Sequence, residues 1–352
     1  MRTMKAMVYR GVGKILLEDV PRPTILEPTD AIVRVTLTAI CGSDLHIYKG
    51  DFSLDDGTII GHEFIGVVEE VGEHVTDFKP GDRVLVYPGF KCGVCEGCLK
   101  EVPFGCEKGG MFGGPNPRGS LHGGQAEYVR IPLAHKALCR IPDGMSDEDV
   151  MLATDMLPTG YFAAENGDIK PGDTVAVFGC GPVGLCAQIC AQLFGPSKVF
   201  GVDMLDYRLK VAEQLGSIPI NASKVDAPNR IRELTDGIGV NVAIEAIGTP
   251  ATFYACLQSA RLTSNISSVG IYSEPVELFM PILCVTNKRI TMGLPYKLSE
   301  YVPKLLQLIA AGRINTRPII SHVLPLTEGE RAYDMFDKKL DGAVKIVLKP
   351  GA

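Results

Sequence analysis

A chain of 352 residues exceeds what one hydrophobic core usually organises, so about two domains are expected. With 46% hydrophobic and 22% charged residues it has the make-up of an ordinary globular protein, and a net charge of -6 without a dense Lys/Arg tract argues for a small-molecule partner and against nucleic acid. Eleven cysteines, an odd number, speak against a disulfide framework and call for another explanation of the thiols.

The first residues, "MRTMKAMVYRGVGKILLEDV", open with basic residues but hold no apolar run of signal-peptide length, which predicts a cytoplasmic protein. Up to about Pro132 the chain is a series of short β-like runs punctuated by Gly and Pro: "KAMVYRG", "AIVRVTLTAI", "FIGVVEEVG", "DRVLVYPG" and "AEYVRIP". These predict a twisted, partly open barrel. Between them lie three stretches rich in potential ligands: "AICGSDLH", "IIGHEFIGVVEEVG" and "KCGVCEGCLKEVPFGC". The following "GGMFGGPNPRG" has the make-up of a mobile loop, with Met111 and Phe112 as candidates to line a substrate cleft.

From Thr174 the rhythm changes to strand, helix, strand. "TVAVFG" leads into a helix-compatible run at 182–194, then "KVFGVD", a helical run from about Asp206 to Leu215, and the strand candidates "VNVAIEAIG", "SNISSVGI" and "RITMGLP". That alternation predicts βαβ units and a parallel sheet. The most apolar segment, "TVAVFGCGPVGLCAQICAQLFG", is broken by Gly, Pro and two Gln, which suits a buried strand and helix better than a membrane span, so no membrane role is expected. After Pro295 the helical "SEYVPKLLQLIAAG" and the strand-like "PIISHVLPL" and "AVKIVLKP" return to the first domain. The division expected is 1–157 with 296–352 for the β-rich domain and 158–295 for the alternating one.

Cys92, Cys95, Cys98 and Cys106 form CxxCxxCx7C. Four clustered thiolates close a tetrahedral S4 shell around Zn2+ and leave no position for a substrate, the mark of a structural site. An iron–sulfur cluster of the ferredoxin kind would need its fourth Cys after three residues and then Pro; here the gap is seven and Glu107 follows. "FGCGPVG" holds Gly179, Gly181 and Gly184 in GxGxxG spacing, with Pro182 and Val183 opening the helix after an apolar strand, the context that a dinucleotide site requires. The helix N-terminus offers amide donors and a positive dipole end to the pyrophosphate. Asp203 ends the next strand, where a carboxylate accepts from ribose hydroxyls and repels a 2'-phosphate; this favours NAD over NADP, with nearby Arg208 as the counter-indication.

"GHEFIGVVEEVG" fits GHExxGx5G and lies after CGSDxH and before the four-cysteine lobe. In this order the motifs resemble the zinc signature of the medium-chain alcohol dehydrogenases, and the resemblance covers essentially the whole chain. It implies a GroES-like catalytic domain joined to a Rossmann NAD-binding domain. It further implies that Cys41 and His62 ligate a reactive zinc, with the third ligand drawn from "ATDMLPTGY". Many relatives have Cys there and this chain has Asp155, a departure similar to the branch with glutathione-independent formaldehyde dehydrogenase and some bacterial secondary-alcohol dehydrogenases. Glu63 is implied to sit just beyond the metal, able to join or leave its shell. Thr159 is placed near the nicotinamide, and Ala246, Ile247, Gly248, Val269 and Gly270 near the cofactor.

The activity so implied is hydride transfer from a small alcohol or aldehyde hydrate to NAD, with two zinc ions per chain, one reactive and one structural. Zinc makes the substrate hydroxyl acidic, and Ser43 passes its proton through the nicotinamide ribose to His46, whose ordinary pKa of about 6.5 suits the last step to solvent. Polyol or threonine dehydrogenation on the same frame is the alternative within enzymes. A noncatalytic NAD-binding redox sensor is the alternative from another class. The apolar "ELFMPILCVTNKRI" beside the last strand of the cofactor domain resembles an edge that wants a partner, and the family resemblance implies a homotetramer or homodimer, with the tetramer favoured.

Overall fold

The first unit is built on a mainly antiparallel sheet whose central strands are buried on both faces, and the second on a parallel one. A computed structural model describes residues 2–100, 102, 105–116 and 120–351. Residues 117–119 of the glycine-rich loop, and 101, 103 and 104 within the cysteine lobe, lie outside the described residues. By its contacts the chain divides into Met1–Asp155 with Tyr296–Ala352, and Met156–Pro295.

The first unit is organised around the strand Ala31–Ala39. It pairs antiparallel with Glu63–Val71, Tyr128–Ile131 and Lys345–Lys349 in a seven-stranded sheet that continues to Ile320–Pro325 on one side and to Arg83–Val86 and Leu138–Arg140 on the other. The returning C-terminal segment is therefore built into the sheet. A separate hairpin, Thr3–Tyr9 with Ile15–Pro21, packs alongside. Its second strand is hard to see in the sequence because Ile15 is its one fully buried residue and the rest alternates weakly. One core gathers Met7, Ile40, Ile47, Tyr333, Phe336 and Ile346, and another Val33, Phe64, Val84, Val86 and Phe112. Phe112 stands edge-on to Phe64, ring centroids 5.4 Å apart, with no exposed surface. It is a core residue worth about 1.5–3 kcal/mol of burial and does not line a cleft.

This register places three residues at one end of the sheet. Ala39 ends its strand opposite Glu63, the first residue of the neighbouring one. On its other side Val347 pairs with Ala39, which sets Lys345, the start of that strand, next to Ile40 and Cys41. The 3-10 turn Met151–Thr154 packs on Ala31–Ala39 and Glu63–Val71, and Asp155 follows it directly.

The second unit has a six-stranded, wholly parallel sheet. Numbered within the unit from Thr174–Phe178, its strands run 3-2-1-4-5-6 across the sheet, the doubly wound order of a Rossmann fold. The order reverses between Thr174–Phe178 and Val240–Glu245, and ligands bind in such folds outside the carboxyl ends of the strands at that point. Gly179 and Ala246 are the residues that follow those two ends. At the sheet's edge Arg289–Met292 follows the helix Met280–Thr286, where Phe279, Met280, Ile282 and Val285 are all exposed. Among the described residues no helix is long and apolar enough to cross a membrane.

Candidate metal and dinucleotide sites

Cys41 caps the helix Gly42–Lys49, and its amide donates to the carboxylate of Asp44 in the first turn at 2.9 Å. That fixes the thiol at the sheet's end. Gly61 has φ +96°, a left-handed conformation that suits glycine, and the chain emerges from it into His62 and Glu63. Donor atoms of Cys41, His62, Glu63 and Asp155 all lie within 4.8 Å of one another. The first three are buried. His62 Nε2 faces the cluster, 3.7 Å from Asp155 Oδ2 and 3.4 Å from the Ser43 hydroxyl, while Nδ1 faces Asp44 Oδ1 at 3.5 Å. Ser43 Oγ donates to Cys41 Sγ at 3.1 Å.

Behind these donors runs a buried polar chain. The Tyr333 hydroxyl donates to Gln125 Oε1 at 2.9 Å, and Gln125 Nε2 donates to Asp44 Oδ2 and to the Ala39 carbonyl, both at 3.2 Å. Asp44 thus fixes Cys41 by a hydrogen bond and stands in electrostatic contact with His62 Nδ1, the side on which carboxylates support metal-binding histidines. On the other side Lys345 Nζ donates to Glu63 Oε1 at 2.6 Å and to the Ile40 carbonyl at 2.9 Å.

The electrostatics fit a cation. Burial, then the Glu63 carboxylate, pushes the Cys41 thiol up. Burial also raises Glu63, against the pull of Lys345. Burial by itself would lower His62, but the Cys41 sulfur, Asp155 and Asp44 outweigh it and hold the ring well above the ordinary histidine range. The donors crowd negative charge that a divalent ion would offset. Moreover, Glu63 Oε2 is buried without a hydrogen-bond partner among the described residues. A soft sulfur, an imidazole and a carboxylate are a donor set that suits Zn2+.

His46 lies one turn further along the helix, its Nδ1 held by Asp51 Oδ2 at 2.7 Å and its ring 5.4 Å from that of Phe52. Nothing in the sequence marks Asp51 for this. Lys345 and Tyr333 were also illegible as site residues, since they come from the far end of the chain.

The four lobe thiols also gather with sulfurs mutually within 4.8 Å, and none is in a disulfide. The Cys92 amide donates to Cys106 Sγ and the Gly93 amide to Cys98 Sγ. Amides of Val94 and Cys95 lower the Cys92 thiol to about 6, whereas burial pushes Cys98 up to about 12. The set suits a closed S4 shell.

In the second unit the helix Pro182–Gln192 begins at the glycine turn, with Pro182 in its first position. Pro lacks the amide that would be spare there, and those of Val183 and Gly184 have no partner within the helix. A Cβ on Gly184 would lie 1.8 Å from the Gly179 carbonyl, so that only glycine permits this close approach of helix to strand. Asp203 is anchored by three amides: Cys180 on Oδ2 at 2.8 Å, and Met204 and Leu205 on Oδ1 at 2.8 and 3.0 Å. A carboxylate has about four acceptor positions, which leaves one for a ribose hydroxyl. Arg208 Nη1 stands 3.9 Å from Asp203 Oδ2, close enough to compete for or assist that task. Ile247 and Gly248 both donate their amides to the buried Glu245 carboxylate, which fixes the loop after Ala246; Val269 donates to the Glu245 carbonyl and precedes Gly270. Thr159 is buried in the helix Met156–Asn166. No sequence motif singles out Glu245, although a lone acid ending an apolar strand is a signal.

Comparison with known proteins gives the family. Residues 27–143 match the family profile described as "Alcohol dehydrogenase GroES-like domain", and residues 182–311 the one described as "Zinc-binding dehydrogenase". An alcohol dehydrogenase of Cupriavidus necator is 36% identical over 99% of this chain and 99% of its own. Among solved structures, the zinc-dependent alcohol dehydrogenase 2 from Streptococcus pneumonia is 40% identical with a TM-score of 0.91, covering 99% of each chain. Alcohol dehydrogenase TADH from Thermus sp. ATN1 is 38% identical with a TM-score of 0.92, covering 98% of this chain and 99% of that one. With its motifs, its two folds and its full-length relatives in accord, this chain belongs to the zinc-dependent medium-chain alcohol dehydrogenase family.

Proposed function

We propose that the chain oxidises a small alcohol or aldehyde hydrate with NAD, or runs the reverse reduction, at a zinc site formed by Cys41, His62 and Asp155. The observation that carries this reading is the convergence of a thiol, an imidazole and two carboxylates within 4.8 Å, with the Ser43 hydroxyl against them. Three protein ligands with Glu63 held aside make an open site. Zinc held there supplies Lewis acidity that makes the substrate hydroxyl easier to deprotonate, and NAD supplies the hydride acceptor.

The residues have separate tasks. Ser43 Oγ accepts the substrate's hydroxyl proton as it gives up its own toward His46, and His46, its Nδ1 held by Asp51, passes a proton on to solvent. Asp44, backed by Gln125 and Tyr333, keeps His62 aimed. The amides of Val183 and Gly184 hold the pyrophosphate, Asp203 the adenosine ribose with Arg208 beside it, and Ala246, Ile247, Val269 and Gly270 the remainder, with Thr159 toward the nicotinamide. The balance is alcohol and NAD+ to carbonyl, NADH and one proton. Cys92, Cys95, Cys98 and Cys106 hold a second, structural zinc. The exposed apolar helix Met280–Thr286 and the edge strand after it pair with another copy in a dimer or tetramer. Eleven cysteines outside any disulfide suit the reducing cytoplasm.

The test is NADH formation across alcohols, aldehyde hydrates and polyols, with zinc quantified in the same preparation. Two zinc ions per wild-type chain and one in Cys41→Ala are expected, with activity lost in that variant. One ion in both, or preference for NADP, would refute the zinc assignment or the reading of Asp203 respectively.

A further inference from the structure

The Glu63 and Lys345 side chains are both wholly shielded from solvent, 2.6 Å apart. Burying such a pair is costly and commonly no better for stability than an apolar pair of the same volume, so its presence beside a ligand cluster calls for a local reason. Geometry supplies one. The strand register fixes Glu63 opposite Ala39 and Lys345 at the start of the strand on the other side of Ala39, so the lysine reaches Glu63 Oε1 across the central strand. A second bond to the Ile40 carbonyl, at 2.9 Å, anchors the ammonium independently of the carboxylate. Glu63 Oε2 meanwhile has no hydrogen-bond partner among the described residues, and Glu63 belongs to the cluster in which all donors lie within 4.8 Å.

Glu63 is thus close enough to become a fourth protein ligand. Four protein ligands would close the shell and leave no room for an exogenous oxygen. Charge points the same way. Cys41 thiolate, Asp155 and Glu63 carry three negative charges, and a divalent ion with the Lys345 ammonium carries three positive ones. Without the lysine, the surplus negative charge is best relieved by moving Glu63 onto the ion.

We propose that Lys345 is a positioning residue that tethers Glu63 by one oxygen and so keeps the fourth position of the Cys41, His62 and Asp155 set open to small exogenous ligands. The inference rests on the metal-ligand reading above.

The experiment uses the full chain loaded with Co2+, whose visible bands report its ligands, titrated with imidazole as the exogenous ligand. The closed four-cysteine site does not respond to imidazole, so the responsive bands belong to the other site. Wild type is expected to titrate, and in Lys345→Met the dissociation constant for imidazole rises by about tenfold or more, while Lys345→Met with Glu63→Gln returns to within about threefold of Glu63→Gln alone, the coupling expected of a contacting pair. If Lys345→Met titrates as wild type does, or the double variant stays as weak as the single one, the tether is refuted. Should Lys345→Met fail to fold, Glu63→Gln decides. A tether that already holds Glu63 aside predicts a change below about threefold, and a gain of about tenfold in imidazole affinity would overturn it. Imidazole-responsive bands that survive in Cys41→Ala would refute the metal-ligand reading itself and the tether with it.

Discussion

Glu245 offers a test of the cofactor domain that does not depend on any metal. Its carboxylate is fully buried and accepts from five donors: the amides of Ile247 and Gly248 at 2.9 and 2.8 Å, and the hydroxyls of Thr252, Ser268 and Tyr272 at 2.8, 3.2 and 2.9 Å. Glu245→Ala strips all five. The hydroxyls can turn to other acceptors, but the two amides cannot, and each costs about 1–3 kcal/mol when left unpaired, for a total near 3 kcal/mol. For a unit of this size that is about 6–12 °C in Tm. Glu245→Gln behaves differently. Its oxygen can serve Ile247, Gly248 and Thr252 while its amide group donates to Ser268 and Tyr272, so the loss should be about 1 kcal/mol. Because the same carboxylate fixes the loop after Ala246, NADH affinity measured by calorimetry should fall about tenfold in Glu245→Ala, or about 1.4 kcal/mol, and little in Glu245→Gln. Thermal unfolding reads the stability. If Glu245→Ala unfolds within about 0.5 kcal/mol of wild type, or if the two variants are equally damaged, the hub does not hold the loop as argued.

Three other contacts give predictions of their own. Gly184→Ala puts a methyl 1.8 Å from the Gly179 carbonyl, so the helix must retreat from the turn; overpacking of this kind costs about 1–3 kcal/mol, and calorimetric NADH affinity should drop while zinc content stays unchanged. Tyr333→Phe leaves Gln125 Oε1 without its buried donor; chemical denaturation should show a loss of about 1–3 kcal/mol, and a variant as stable as wild type would exclude the polar chain behind His62. The Arg317 guanidinium, with help from Ser146, holds the Asp149 carboxyl well below the usual aspartate range. A depressed carboxylate stabilises the fold above its unfolded value of about 3.9 and loses that contribution as pH falls toward its folded value. The stability gap between wild type and Asp149→Asn, measured by urea unfolding, should therefore be full at neutral pH and shrink only below about pH 4; a gap independent of pH in that range would refute the assignment.

Much of the fold can be read along the chain because its signals are local. The parallel sheet is visible in the alternation after Thr174, and the glycine turn is visible because Gly179, Gly181 and Gly184 sit between an apolar strand and a helix. The 3-2-1-4-5-6 strand order is not local, and it is the order that puts Gly179 and Ala246 side by side at the switch point. The hairpin strand Ile15–Pro21 escapes notice for the opposite reason: it buries too little to impose a period. In the metal cluster, Cys41, His62 and Glu63 are marked by spacing. Asp155 is legible only through resemblance, since a lone aspartate before a helix is most often a cap.

The residues behind the cluster are illegible because their partners are set by tertiary packing, and for Lys345 by sheet register. Lys345 lies in "AVKIVLKP", an apolar strand with a lysine near each end; Lys349 is partly exposed, while Lys345 is fully buried, and a cation at that apolar position is the single hint the sequence offers. A strand covered on both faces cannot leave a lysine uncompensated, so an acid must meet it inside the protein. Which acid follows only from the pairing of Val347 with Ala39 and of Ala39 with Glu63, which brings residues 282 positions apart to 2.6 Å. Gln125, in a loop 81 positions from Asp44, and Tyr333, in the helix Gly329–Asp337 and bonded to Gln125, are brought behind Asp44 by helix and loop packing, which the sequence shows no better. Spacing along the chain thus identifies groups able to hold a cation, while the pairing of strands decides which of them are free to bind and which are held back.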